Sequence, residues 1–269
     1  MIIKSIQFKI DINNPHKNIE RGINLIEKAS ETEVNLITMP EMWSVGLHPD
    51  ITNSPFINET EKLLEKICLI SKKNNVIILP GSLPLYENHK IFNVTFIVTP
   101  NGILENHYRK IHLFKVGGEN KYTTSGKELM IYDSSFGKIS PLICYDLRFP
   151  EIFRSLSMRG VSIFIVSAQW PKSREEHWIT LLKARAIENQ AFIIANNLCG
   201  NDGLLEFAGN TMVINPWGKI VNKIEYEEDI LITNIDPYEV KEIRERFPFL
   251  RDSIWREQLI NLSDSKKVD

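Results

Sequence analysis

Three side chains of contrasting chemistry stand where runs that read as buried strands come to an end: Glu41 after NLITMP, Lys110 after NHYR and Cys144 after SPLI. A thiol, a carboxylate and an ammonium together suit nucleophilic acyl transfer. The thiol attacks, the carboxylate takes its proton, and the ammonium stabilises the oxyanion that develops. Acyl transfer is one of many uses such a set allows. Taken singly, each residue also has a plainer reading: Cys144 as a small buried hydrophobe, Glu41 as an ion pair at a strand end, and Lys110 as a solvated residue beside Arg109.

The elements that must position these residues follow from the hydrophobic pattern, which alternates short β-branched runs with longer amphipathic ones. A strand over 2–9 leads through Asn13-Asn14-Pro15 into a helix with Ile19, Ile23, Ile26 and Ala29 at helical spacing. Strand 34–39 ends at Pro40-Glu41. A helix is expected from about Asn58, with Glu61 completing a capping box and Leu64, Ile67, Cys68 and Ser71 facing inward. It leads to VIILPG at 76–81. Further strands are expected over 92–99, 103–109, 129–132 and 138–143, with Asn101-Gly102 as a tight hairpin turn.

The second half repeats the order: a strand ending at Cys144, a helix from Pro150 to Gly160, strand 161–166, helix 174–189 and strand 192–197. Strands near 211–215, 219–224 and 230–235 follow, the first two joined through Pro216-Trp217-Gly218. Asp236-Pro237 is expected to cap and start a last helix running through Phe247. About twelve strands and five helices result, and strands flanked by helices need cover on both faces. That favours an α/β fold in four layers, an α-β-β-α sandwich of two stacked mixed sheets flanked by helices. Periodicity alone leaves a doubly wound single sheet open. With no linker or low-complexity tract, residues 1–269 read as one domain. Residues 248–269 form an extension in which FPFLRDSIWREQL is too apolar to be a free tail, so it is expected to pack on the domain or on a dimer partner.

The local sequences add a resemblance. MPEMW (39–43), YRKIHLF (108–114) and LICYDLRFPE (142–151) resemble the three signature segments of the nitrilase superfamily of carbon-nitrogen hydrolases, in order and at suitable separations. AQWP (168–171), HWITLLKARAIENQAFIIANN (177–197) and INPWGKI (214–220) extend the likeness over nearly the whole chain. The segment after the cysteine looks like the omega-amidase branch, where true nitrilases usually carry Trp-Glu.

The resemblance implies the four-layer sandwich, a homodimer, and roles residue by residue. Cys144 would be the nucleophile, Glu41 the general base and Lys110 the oxyanion stabiliser. A second glutamate is implied between the lysine and the cysteine; Glu119 is the better match and Glu128 the weaker. Arg148 would bind a substrate carboxylate bidentately, although a structural pair with Asp146 or Glu151 is the alternative. Chemically, the backbone N–H of Tyr145 would join Lys110 at the oxyanion, and Asp146 would serve as an acceptor at the next helix N-terminus. No metal or organic cofactor is required.

The expected activity is hydrolysis of a small linear amide through a thioester, by an omega-amidase acting on monoamides such as 2-oxoglutaramate or succinamate. The alternatives are another small-amide, N-carbamoyl or nitrile hydrolase of the superfamily, or a catalytically silent scaffold. A silent copy has no physical need for a buried ionisable cluster. His112 and His177 invite a cysteine-histidine triad, but neither lies in a protease-like signature. Trp170, Trp178 and Tyr122 are candidate pocket aromatics, while Cys68 and Cys199 read as structural.

Composition excludes other classes. With 32 Lys+Arg against 34 Asp+Glu, no basic excess exists to track a phosphate backbone, so nucleic acid is not an expected partner. No run approaches the roughly 20 apolar residues that span a bilayer, and the N-terminus lacks a signal-peptide stretch, so a cytoplasmic location is expected. Three widely spaced cysteines fit neither a disulfide framework nor a zinc knuckle.

Overall fold

Chain order in the computed structural model runs β1 (Ile2–Lys9), α1 (Pro15–Ser30), β2 (Leu36–Thr38), α2 (Thr60–Asn74), β3 (Ile77–Leu79), β4 (Ser82–Glu87), β5 (Lys90–Thr95), β6 (Val98–Thr99), β7 (Gly102–Ile103) and β8 (Tyr108–Arg109). It continues β9 (Tyr132–Ser134), β10 (Gly137–Ile143), α3 (Pro150–Met158), β11 (Val161–Ala168), α4 (Glu175–Asn189), β12 (Phe192–Cys199), β13 (Met212–Ile214), β14 (Ile220–Lys223), β15 (Asp229–Asn234), α5 (Glu239–Arg246) and α6 (Arg256–Ile260). The structure describes residues 1–48, 51, 59–103 and 106–261.

One mixed sheet has the order β7-β6-β3-β2-β1-β15, and a second runs β9-β10-β11-β12-β13-β14. They join at one corner, where β1 and β12 pair in parallel through Phe8↔Leu198 and Lys9↔Cys199. Alternation along each strand divides its side chains between two cores. Ile3, Leu36 and Leu79 of the first sheet pack with Ile163, Ile165 and Ile193 of the second, forming the middle of the molecule. Ile6, Phe8, Ile37 and Ile78 turn outward onto Ile26 of α1 and Leu64 and Ile67 of α2. On the opposite side, Phe153 of α3 lies 5.0 Å from Phe164 of β11, and Trp178, Leu182 and Ala186 of α4 are buried. The result is the expected α-β-β-α sandwich.

Local departures from the sequence reading have physical causes. The run 76–81 divides into β3 and β4 at Gly81 (φ +67°), and 92–99 divides into β5 and β6, whose halves join different sheets. The stretch 103–109 divides likewise: β8 joins β4 and β5 in a small antiparallel sheet, which carries Asn93 and leads into Lys110. The described residues therefore hold fifteen strands, several only two or three residues long. The expected helix start at Asn58 lies outside the described residues; α2 opens at Thr60 with no side-chain cap, so the capping box with Glu61 does not form. Asn14 does cap α1, accepting from the Lys17 N–H at 3.2 Å. Asp236 instead closes a turn by accepting from the Tyr238 N–H at 3.0 Å, and α5 begins at Glu239. Residues 248–261 lead into α6, which packs against α3. Among the described residues no helix is long and apolar enough to cross a membrane.

Candidate active site

The catalytic candidates meet where the C-terminal ends of β2, β10 and β11 converge, the end of an α/β sheet at which ligands usually bind. Glu41 follows β2 in a loop clamped to the β3–β4 junction. Met42, itself at φ +45°, donates its N–H to the Ser82 carbonyl at 2.8 Å, and the Trp43 indole N–H donates to the Pro80 carbonyl at 2.7 Å. Gly81 is required there, since a Cβ on it would lie 1.8 Å from the Pro40 oxygen. The second sheet grips the same loop. At the end of β11, Ser167 Oγ donates to the Met39 carbonyl at 2.9 Å, and the Gln169 backbone N–H donates to Glu41 Oε2 at 2.9 Å.

Lys110 follows β8, anchored by its N–H to the Asn93 carbonyl at 2.9 Å. Its ammonium donates to Glu41 Oε1 at 2.8 Å and to Glu119 Oε2 at 2.9 Å, with all three side chains at most 1% exposed. An ammonium has three N–H donors, so one remains for a third acceptor. Asn93 Nδ2 also donates to Glu41 Oε1, at 2.8 Å. Glu119 Oε2 additionally accepts the Phe114 N–H at 2.7 Å, while its Oε1 is buried with no partner among the described residues. Of the two candidate second glutamates, the structure puts Glu119 on Lys110; Glu128 is exposed and lines a different depression.

Cys144 begins a tight turn (Cys144–Arg148) at φ +46°, a left-handed conformation that few non-glycine residues adopt. Asp146 holds this elbow. Buried, it accepts from the Ile143 N–H at 3.0 Å and the Tyr108 hydroxyl at 2.7 Å on one oxygen, and from the His112 N–H at 3.0 Å on the other, which also lies 2.8 Å from His112 Nδ1. The expected role of Asp146 as an acceptor at the next helix N-terminus is thus corrected: it ties the thiol's turn to the loop after Lys110. Arg148 makes no ion pair with Asp146 or Glu151. Its guanidinium carbon lies 4.7 Å from the Trp170 ring centroid and 5.9 Å from that of Tyr145.

A cavity of about 290 Å³ is lined by Glu41, Lys110, Glu119, Cys144, Tyr145 and Arg148, together with Trp170 and Tyr122. Trp178 is not part of it; it is fully buried, with its indole N–H on the Asn210 carbonyl at 2.9 Å. His112 is held by Asp146, His177 lies against Arg148, and neither lines the cavity. Two larger depressions, of about 530 and 500 Å³, contain none of Glu41, Lys110 or Cys144.

The electrostatics decide how the thiol can act. Burial alone would lower the Lys110 pKa, but the neighbouring Glu119 and Glu41 carboxylates outweigh it and hold it well above its usual range. Burial pushes the Cys144 thiol well above its ordinary value, and Glu41 adds to this through its charge and a hydrogen bond; Lys110 opposes. The resting group is therefore a thiol whose neighbour can take its proton. Burial also raises Glu119, against the pull of Lys110.

Sequence reasoning missed Asn93 and Gln169, both partners of Glu41, and Arg174, which lines the same cavity. A signal existed for Asn93: an amide amid the alternating strand Ile-Phe-Asn-Val-Thr-Phe is buried only where it has a partner.

Residues 3–245 match the profile of a family described as carbon-nitrogen hydrolase. A 2-oxoglutaramate amidase of Bacillus subtilis is 36% identical over 252 residues, covering 93% of this chain and 96% of that protein. The omega-amidase NIT2 of Mus musculus is 28% identical over 247 residues, covering 87% and 88%. Among solved structures, a CN-hydrolase superfamily protein of Xanthomonas campestris with an arsenic adduct in its active site superposes with a TM-score of 0.86 at 30% identity, over 94% of this chain and 97% of that one.

The thiol's protonation is open to direct test. Glu41→Gln removes a charge and an acceptor that both raise the Cys144 pKa. Alkylation of Cys144 by iodoacetamide, followed across pH by peptide mass spectrometry, is expected to begin at lower pH in Glu41→Gln than in wild type. Hydrolysis is expected to fall by roughly 10²–10⁴-fold in the same variant, the usual size of a lost general base. An alkylation profile that stays put or moves to higher pH would contradict the assigned coupling.

Proposed function

The chain belongs to the carbon-nitrogen hydrolase family, and we propose that it is an amidase that cleaves the omega-monoamide of a small dicarboxylic acid to the diacid and ammonia. One observation carries this reading: a single cavity of about 290 Å³ joins a thiol, a carboxylate-ammonium-carboxylate cluster and a guanidinium that has no acidic partner among the described residues. The names of relatives in Bacillus subtilis and Mus musculus support the same substrate class.

In this reading Glu41 takes the proton of Cys144 as the sulfur adds to the amide carbonyl. The third N–H of Lys110 and the backbone N–H of Tyr145 receive the oxyanion, one such donor being worth about 3–4 kcal/mol. Glu41 then returns the proton to the nitrogen, the C–N bond breaks, and ammonia leaves a thioester on Cys144. Water attacks that thioester, losing a proton to Glu41; the C–S bond breaks and the sulfur recovers the proton. The unpartnered Oε1 of Glu119 supplies an acceptor for the departing ammonia or the incoming water. Arg148, half-buried with its guanidinium carbon 4.7 Å over the Trp170 ring, takes the far carboxylate through its planar fork. No step needs a metal or an organic cofactor.

We further infer one domain over 1–269, a cytoplasmic setting and a homodimer. The free thiols of Cys68, Cys144 and Cys199 fit a reducing compartment. Ile254 and Trp255 in the C-terminal extension are 84% and 63% exposed, apolar surface that a second copy would cover.

Ammonia release from a panel of small amides, nitriles and N-carbamoyl compounds tests the substrate class. Activity is expected on carboxylate-bearing amides, absent in Cys144→Ala and lowered roughly 10- to 100-fold by Arg148→Gln, the scale of a charged hydrogen bond. No release from any amide, or release indifferent to a carboxylate, would overturn the reading. Sedimentation of the full chain is expected to return a dimer whose mass halves on Trp255→Asp; a wild-type monomer would contradict the interface.

A further inference from the structure

The turn that presents the thiol is held at both ends, and the grip at its far end takes no part in the reaction above. Cys144–Arg148 is five residues long and opens on a left-handed backbone, φ +46° at Cys144. A non-glycine residue keeps that conformation only where its surroundings over-determine it. Asp146 fastens the near end through the Ile143 N–H, and the Phe149 N–H donates to the Asp146 carbonyl at 3.0 Å. The next bond of that series would run from the N–H of residue 150 to the Leu147 carbonyl. Residue 150 is a proline at the start of α3, with no N–H to give.

Arg185 of α4 takes that carbonyl instead. Its Nε donates to the Leu147 oxygen at 3.1 Å and its Nη2 at 2.8 Å, so two N–H groups on one edge of the guanidinium converge on a single backbone atom. Nη1 donates to Glu188 Oε1 at 2.9 Å, and the guanidinium carbon lies 5.4 Å from the centroid of the Phe153 ring on α3. Carbonyl, carboxylate and ring together set the plane of the fork, and the arginine is only 4% exposed. As packing alone this arrangement returns little, because apolar side chains of similar volume often stabilise as well as an ion pair taken out of water. What a charged planar donor adds is a defined position for one carbonyl oxygen. That oxygen belongs to the peptide joining Leu147 to Arg148, at the end of the nucleophile's turn.

We propose that Arg185 is a positioning residue for the nucleophile: by holding the Leu147 carbonyl it fixes the far end of the turn and keeps the Cys144 thiol and the Tyr145 N–H aligned with Glu41 and Lys110. Arg185 does not line the cavity and acts through the backbone. The inference rests on the amidase reading above, whose oxyanion site uses the Tyr145 N–H. Displacing a reacting group by about 1 Å can cost on the order of 10²-fold in rate, so a loosened turn is expected to slow the chemical step more than it weakens substrate binding.

The test measures kcat and KM on 2-oxoglutaramate and on succinamate, per folded molecule and well below the thermal midpoint. Arg185→Met is expected to lower kcat roughly 10- to 100-fold with KM within about threefold of wild type. Arg185→Lys keeps a charged donor without the paired grip, and its kcat is expected to lie between, roughly 3- to 10-fold below wild type. Leu182→Ala, a cavity in the same helix, is expected to lower the thermal midpoint while leaving kcat within about twofold. A wild-type kcat in Arg185→Met, a loss carried by KM alone, or an equal fall in Leu182→Ala would overturn this inference alone. If Arg185→Met does not fold, Arg185→Lys decides: a kcat lowered threefold or more, with KM held, supports the inference, and an unchanged kcat overturns it. A wild type that hydrolyses no amide would overturn the amidase reading itself, and this inference with it.

Discussion

One ammonium shared between two carboxylates, all three sealed from water, sets the terms for everything around it. Taking a single ion out of water costs several kcal/mol even after relaxation, and breaking a buried pair by deleting one partner typically costs about 3–5 kcal/mol. Lys110 between Glu41 and Glu119 is tolerated only because the surrounding chain supplies the remaining hydrogen bonds: Asn93 and Gln169 to Glu41, and the Phe114 N–H to Glu119. Those donors come from β5, from the end of β11 and from the loop after Lys110, so the cluster exists only when both sheets and the small third sheet are in place. The catalytic chemistry and the tertiary fold are in this sense one constraint.

The sandwich meets that constraint through its central seam. Two side chains of the second sheet cross it near the site, Asn196 of β12 donating to the Ile6 and Thr38 carbonyls and Ser167 of β11 to the Met39 carbonyl, while Thr38 Oγ1 donates to Ser5 Oγ at 3.0 Å within the first sheet. Apolar packing fills the rest of the seam, so these few bonds fix the register of one sheet on the other where precision matters. Asp146 does the same for the thiol, joining the Cys144 elbow to the loop that follows Lys110. Because two carboxylates outweigh the ammonium's single charge, it does not create a resting thiolate. The thiol stays protonated until Glu41 takes its proton, which suits a pocket that also carries free guanidinium groups.

Much of this was legible in the sequence. Glu41 and Cys144 end long apolar runs, and the two halves repeat a strand-helix-strand order, so the layers and the convergence of the site follow from periodicity together with the signature segments. What escaped was set by tertiary contact. The run 92–99 reads as one strand, yet Phe96 and Ile97 bridge two sheets, a change that hydrophobic alternation does not record. The capping pattern at Glu61 and the Asp236-Pro237 pair are good local signals overridden by the path of the chain. Asp146 could be identified as an acceptor, but only the folded structure shows that its donors lie on β8, on the loop after Lys110 and at the end of β10. Arg174 carries no local mark at all: a basic residue ahead of a helix reads as solvated surface until Phe114, far away in sequence, is placed beneath it.

The central claim is that carbon-nitrogen bond cleavage runs through a thioester on Cys144. Rapid acid quenching during turnover of an omega-monoamide, followed by peptide mass spectrometry, tests it most directly, with hydroxylamine in a parallel reaction to trap any short-lived acyl group. The expected result is the mass of the substrate less ammonia on the peptide containing Cys144, or the matching hydroxamate in solution, with both lost in Cys144→Ala. Ammonia released at the full rate with neither species formed, or an adduct on another residue, would contradict it.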